Sequence, residues 1–294
     1  MKATVLIDNI TKNELLAEWG LAFYIEYGDK NILLDTGSSN YFIENAKALG
    51  LDLEKIDFGV LSHAHYDHSN GLDGFFEIKS NAPFYLRDKA IENCYDTDEC
   101  EEGEYAYIGI KQGTLEKYAD RIKFVSGDCE VIPGVHLIPH KTPGLDEIGK
   151  ACNMYVYEND QYRYDSFDHE QSLVFETEKG LIIFNSCSHG GADNIINEIK
   201  STFPEKTIAA IIGGFHLYNT PEEQVREFAK RVKNTGIQLV VTGHCTGEEA
   251  FEVLKEELGD KAVQFYSGLE IEFLYKIHES WTYFQGPWLC KICV

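Results

Sequence analysis

Ser62-His63-Ala64-His65-Tyr66-Asp67-His68 is the stretch on which the reading of this chain turns. It follows the apolar run Phe58–Leu61 directly, so it sits where a buried strand gives way to a loop. Three imidazoles and a carboxylate within six residues form a donor set that suits zinc, and also iron or manganese. Alternate side chains of a strand point the same way, which lets His63 and His65 grip one ion. The bend that follows turns Asp67 and His68 toward a second ion nearby. Two ions sharing a water would generate hydroxide at neutral pH and polarise a substrate. The plainer reading, a polar loop of solvated histidines, fits so dense a cluster poorly.

Working outward, the chain alternates short apolar runs with amphipathic segments. Strands are expected at Thr4–Ile7, Leu21–Tyr27 and Asn31–Asp35, the last two joined by the turn signal Gly28-Asp29, and a helix at Tyr41–Leu49. Beyond the motif, residues 77–165 read as an irregular insertion or cap, rich in Tyr, Asp and Glu. Regular alternation resumes with a hairpin of Ser172–Glu176 and Leu181–Phe184, a helix through Ile195, Ile196 and Ile199, and a strand at Ile208–Ile212. A further helix carries Val225, Phe228, Ala229 and Val232 on one face, with Thr220, Pro221 and Glu223 reading as N-cap, first position and capping box. Strand Ile237–Val241, helix Glu248–Leu258 and strands Val263–Tyr266 and Leu269–Leu274 complete the pattern. These elements predict an α/β fold, two sheets flanked by helices in one domain over 1–273, followed by a tail at 274–294.

Composition narrows the partners. The 294 residues carry 49 Asp+Glu against 26 Lys+Arg, a formal charge of −23. Nucleic acid and anionic membrane surfaces both call for a positive face, so neither is expected as a partner. A small-molecule substrate is. No export signal or membrane span is visible, so a reducing cytoplasm and free thiols are the expectation for the eight cysteines. Oligomeric state is not legible.

His63-x-His65-x-Asp67-His68 resembles the signature of the metallo-β-lactamase-fold hydrolases, and Leu33-Leu34-Asp35-Thr36-Gly37 is similar to that family's first motif. Ile7-Asp8-Asn9, Asn185-Ser186-Cys187-Ser188-His189, Gly213-Gly214-Phe215-His216-Leu217 and Gly243-His244-Cys245-Thr246-Gly247 resemble one branch, the 7,8-dihydropterin-6-yl-methyl-4-(β-D-ribofuranosyl)aminobenzene 5′-phosphate synthase-like proteins. The resemblance implies an αββα sandwich and a centre of one or two ions, zinc with iron or manganese as alternatives. It implies His63 and His65 for the first ion, Asp67, His68 and the late His244 for the second, and Asp35 as support behind the loop.

The family's middle histidine stands in a His-Thr-Pro-Gly-like turn before the hairpin, where this chain has Asp165-Ser166-Phe167-Asp168-His169-Glu170. His140-Lys141-Thr142-Pro143-Gly144 has the look of that turn but lies far upstream. We therefore expect His189 to supply the missing imidazole, with His169 and Glu170 in reserve. Cys187 either bridges or lines the site or is a buried structural thiol. His216, after two glycines, is expected to bind substrate or transfer a proton, with a core role as the alternative; Asp67 joins it as a catalytic candidate. Surface or core roles are expected for His136, His140 and His278, and Cys290-x-x-Cys293 is set aside as a motif without context.

The resulting expectation is a metal-dependent hydrolase acting on an ester, lactone, thioester or phosphoester. A pterin-pathway transferase acting on a phosphorylated substrate and an iron-dependent oxidoreductase are the alternatives. A non-catalytic scaffold would show an incomplete donor set. The acidity counts against a nuclease.

Overall fold

A strand with one apolar face needs a partner surface, and here two sheets supply it to each other. The computed structural model describes residues 1–78, 81–98 and 100–273, with the strand segments Phe284–Gln285 and Cys290–Cys293. Moving inward from Phe284–Gln285 at one edge, the first sheet runs Cys290–Cys293, Glu270–Glu272, Lys2–Ile7, Ala22–Tyr27, Lys30–Leu34, Phe58–Val60, Phe84–Arg87 and Ile122–Val125. The second runs Ala262–Gln264, Leu239–Thr242, Ile208–Ile212, Gly180–Phe184, Gln171–Thr177, Val135–Pro139 and Cys129–Ile132.

Between the sheets, Val5, Phe23, Ile25, Leu34 and Val60 meet Leu137, Leu173, Phe175, Phe184, Ile212 and Val241. Phe23 stands edge-on to Phe184 with centroids 5.4 Å apart. Helices Tyr41–Ala48 and Leu72–Glu77 cover the outer face of the first sheet through Phe42, Ala46, Phe75 and Phe76. Helices Ala192–Thr202, Glu222–Asn234 and Glu248–Leu258 cover the second through Ile195, Ile199, Val225, Phe228 and Leu254. The order helix, sheet, sheet, helix is the predicted αββα sandwich.

Each sheet contains a parallel set, and this positions the site. Lys30–Leu34, Phe58–Val60 and Phe84–Arg87 run parallel in the first; Gly180–Phe184, Ile208–Ile212 and Leu239–Thr242 run parallel in the second. The loops after their C-terminal ends carry Asp35, His63 to His68, Cys187 to His189, His216 and His244 to one edge, where ligand sites of α/β sheets commonly lie.

Three expectations change. Residues 77–165 contribute four strands to the main sheets: Phe84–Arg87, Ile122–Val125, Cys129–Ile132 and Val135–Pro139. Cys129–Ile132 and Ile122–Val125 are edge strands with half-exposed residues, so their pattern lacks a clean apolar period. Only Cys94–Asp96, Ala106–Tyr107, Met154–Glu158 and Gln161–Tyr164 form a separate four-stranded sheet. The helix expected to start at a Thr220 capping box starts at Glu222, with no side-chain cap bond, because Pro221, at ψ 141°, is extended rather than helical and takes the cap position itself. In the tail, Phe284–Gln285 pairs antiparallel with Cys290–Cys293, which pairs parallel with Glu270–Glu272; the rest of 274–294, including His278, and all side chains of the tail lie outside the described residues. Among the described residues no helix is long and apolar enough to cross a membrane.

Candidate metal centre

The Asp35 backbone, at φ +59°, turns its side chain under the loop that follows Phe58–Val60. Its carboxylate accepts from the Ser62 amide at 2.7 Å, Ser62 Oγ at 2.8 Å, Ser186 Oγ at 2.5 Å and His68 Nδ1 at 2.9 Å. With Nδ1 donating, His68 presents the lone pair of Nε2. His244 is held the same way: its Nδ1 donates to Asn9 Oδ1 at 2.9 Å, and its amide donates to Asp8 Oδ1 at 2.9 Å.

The two Nε2 atoms face each other at 3.2 Å, with Asp67 Oδ2 3.6 Å from His68 and 3.3 Å from His244. Cys187 Sγ lies 3.2 Å from His68 Nε2. Two neutral imidazoles cannot leave lone pairs opposed at that distance without a proton or a cation between them. Burial lowers the His68 basicity, but Asp67 and Asp35 outweigh it and carry its pKa up to about 9. Burial would raise Asp67, yet His68 and His244 hold it well below the usual carboxylate range. A divalent cation fits this pair of nitrogens, carboxylate and thiol as a shared partner.

Beside it lie His63, His65 and His189, ring centroids 4.6, 5.0 and 5.1 Å apart pairwise. His63 Nδ1 is bound to Ser62 Oγ at 2.8 Å, leaving its buried Nε2 without a partner, and His65 Nε2 is equally unpartnered. Burial, reinforced by neighbouring imidazoles, holds both well below the ordinary histidine range, in the neutral form that a metal takes. His189 Nδ1 donates to Glu170 Oε2 at 2.5 Å. Donor atoms of His63, Cys187 and His189, and of His68, Cys187 and His244, form two groups within 4.8 Å, so the Cys187 thiol stands between the two halves. The structure therefore brings together His63, His65, Asp67, His68, Cys187, His189 and His244, with Asp35 behind them.

His216, also at positive φ (+49°), places its ring 4.8 Å from His189 with Nδ1 unpartnered. Its amide donates to Cys245 Sγ, which lies 3.4 Å from Cys187 Sγ. Burial, then this second thiol, pushes the Cys187 pKa well above its ordinary value.

Several residues that the sequence left in reserve or in a bland role support this centre. The His140 side chain is only 5% exposed, its Nε2 2.8 Å from Glu170 Oε1 and its Nδ1 3.3 Å from Glu198 Oε2. Its sequence distance from the hairpin was misleading: Pro139 pairs with Gln171 in the second sheet, which sets His140 beside Glu170. His169 Nδ1 accepts the Ala64 amide at 3.3 Å and its Nε2 meets Asp165 at 2.9 Å, so this pair fastens the backbone between His63 and His65. Tyr95 meets Tyr107 edge-on at 5.2 Å, Tyr105 stacks on Tyr162 at 3.6 Å and Tyr85 packs on Phe58, so these four are engaged with other rings. Trp19, half exposed, instead flanks the centre, 5.3 Å from His244 and 5.2 Å from Tyr218.

Two parallel edges converging on such a cluster define a class, and the chain belongs to the metallo-beta-lactamase superfamily. A profile of that superfamily matches residues 20–149. The chain is 30% identical to a 7,8-dihydropterin-6-methyl-4-(beta-D-ribofuranosyl)-aminobenzene-5′-phosphate synthase of Methanocaldococcus jannaschii, over 87% of this chain and 90% of that protein. It is 26% identical to an uncharacterized protein of the same archaeon over 86% of this chain and 93% of the other. A crystal structure of a metal-dependent hydrolase of the beta-lactamase superfamily superposes with a TM-score of 0.77 at 31% identity, covering 92% of this chain and 98% of that one.

Proposed function

We propose that the chain is a metal-dependent hydrolase of a small molecule, using a dinuclear centre, zinc by donor preference with iron or manganese as alternatives. The observation that carries this reading is the set of buried imidazole nitrogens with no protein partner, His63 Nε2 and His65 Nε2, beside the opposed Nε2 atoms of His68 and His244. When bound, such ions lower the pKa of water and polarise a carbonyl or phosphoryl oxygen.

The chain's own groups do the remainder. Asp67 and Cys187 keep the two halves of the centre adjacent. His216 lies against His189 with a free Nδ1, a position from which it binds the leaving group or passes it a proton. Trp19 and Tyr218 offer exposed aromatic faces beside His244 and His216, which suits a substrate with an apolar or aromatic portion. The domain carrying this chemistry spans 1–273, and its site lies within a single chain.

The test is hydrolysis of an ester, lactone, thioester and phosphoester panel by the zinc-loaded protein. Activity should vanish on chelation, return with metal, and be absent in His65→Ala. Equal turnover by metal-free protein would refute the reading.

A second reading draws on the synthase from Methanocaldococcus jannaschii, alike over most of both chains. Here the same centre would hold the phosphate of a phosphorylated substrate during group transfer. Product analysis separates the two: a transferase joins two substrates, whereas a hydrolase incorporates oxygen from solvent.

A further inference from the structure

Glu170 has no exposed surface, and its carboxylate is shared by two imidazoles. Oε2 receives His189 Nδ1 at 2.5 Å and Oε1 receives His140 Nε2 at 2.8 Å. His140 in turn meets Glu198 Oε2 at 3.3 Å through Nδ1, and Glu198 is anchored by the Lys141 and Thr142 amides at 2.9 and 2.8 Å. The result is a buried line from helix Ala192–Thr202 to the metal centre: Glu198, His140, Glu170, His189.

A neutral imidazole has one N–H and one lone pair, and the group bound to one nitrogen decides the role of the other. A carboxylate at His189 Nδ1 requires the proton there, which leaves Nε2 as a donor to metal. His140 cannot serve as a ligand itself, because both of its nitrogens point at carboxylates. Its ring also packs against Gly190, where a Cβ would come within 2.7 Å of it, so the residue following His189 is shaped to admit it.

We propose that Glu170 is the positioning residue of the first ion's half of the centre: it selects the Nδ1–H tautomer of His189 and fixes its ring, with His140 as the partner that holds Glu170 in place. This rests on the metal-centre reading above. Outer groups of this kind typically contribute roughly 10–100-fold to metal affinity. Among the described residues no hydrogen bond or ion pair links Glu170 to His68 or His244, so the effect falls on one binding step only.

The experiment is titration of full-length, metal-stripped protein with Zn²⁺ against a chromophoric chelator, with Co²⁺ absorption as the spectroscopic readout. For Glu170→Gln we expect one of two binding steps weakened roughly 10–100-fold, an altered Co²⁺ spectrum, and the other step unchanged. His140→Gln should weaken the same step severalfold, and it carries the test alone should Glu170→Gln not fold. Affinities within about twofold of wild type in the folded variants, or equal loss in both steps, overturn the proposal. Wild-type protein that binds neither metal overturns the metal-centre reading as well. Tight wild-type binding with unaffected variants overturns this inference alone.

Discussion

The Asp35 carboxylate accepts His68 Nδ1 at 2.9 Å while the same oxygen accepts Ser186 Oγ at 2.5 Å, so one buried acid joins the loops of both sheets beneath the site. Four donors converge on it. Asp35→Asn keeps the shape but turns an amide toward those donors and removes the charge opposite His68. Loss of charge-assisted bonds in a buried network should cost about 3 kcal/mol or more of stability. It should also weaken the metal step that involves His68 by roughly tenfold or more. Urea unfolding and chelator competition measure the two separately.

His216 is expected to act on the substrate and to leave metal binding alone. His216→Asn should lower kcat by roughly 10²–10⁴-fold, the usual contribution of a general acid or base. Metal content should match wild type. Metal loss accompanying the activity loss would instead make His216 a ligand.

The line through His140 gives the fold a pH dependence. Burial lowers the His140 pKa, but Glu170 and Glu198 outweigh it and raise it to about 10 from an ordinary 6.5. Because the folded value lies above the unfolded one, the stabilisation is complete below about pH 6.5 and is lost as pH rises toward 10. The stability advantage of metal-free wild type over His140→Gln should therefore shrink between pH 6.5 and 10 in urea titrations. A constant difference across that range would contradict the charged state assigned to His140.

Gly213 lies where three loops converge. Its φ is +145°, and a Cβ there would stand 1.8 Å from the Asn185 carbonyl oxygen, while its amide donates to the Val241 carbonyl. Gly213→Ala must push apart the loops that carry Cys187 and His244. A loss of about 3 kcal/mol or more is expected, measured by thermal or urea unfolding.

What could be read in advance follows the range of the interactions. His63 to His68 span one short loop and the first turn of helix Tyr66–Ser69, and their spacing alone announces their chemistry. The motif around Asp35 and the glycine-flanked His216 and His244 are similarly local. His140 and Glu170 are 30 residues apart and meet only because Val135–Pro139 pairs with Gln171–Thr177, a register that no local pattern specifies. Asn9 reaches His244 across 235 residues for the same reason. Within 77–165, the edge strands Ile122–Val125 and Cys129–Ile132 were hidden because they carry half-exposed residues. The Thr220 capping box was legible as a pattern, but Pro221 is extended, so the helix begins one residue later at Glu222.

On the proposed reading, the converging loop ends hold two metal ions in one chain. Elemental analysis of anaerobically purified wild type and His244→Ala, after gel filtration into metal-free buffer, tests it most directly. Close to two transition-metal ions per chain are expected in wild type and about one in His244→Ala, since His244 serves only the half containing Asp67 and His68. Wild type that retains no metal, or a variant with unchanged stoichiometry, would contradict it.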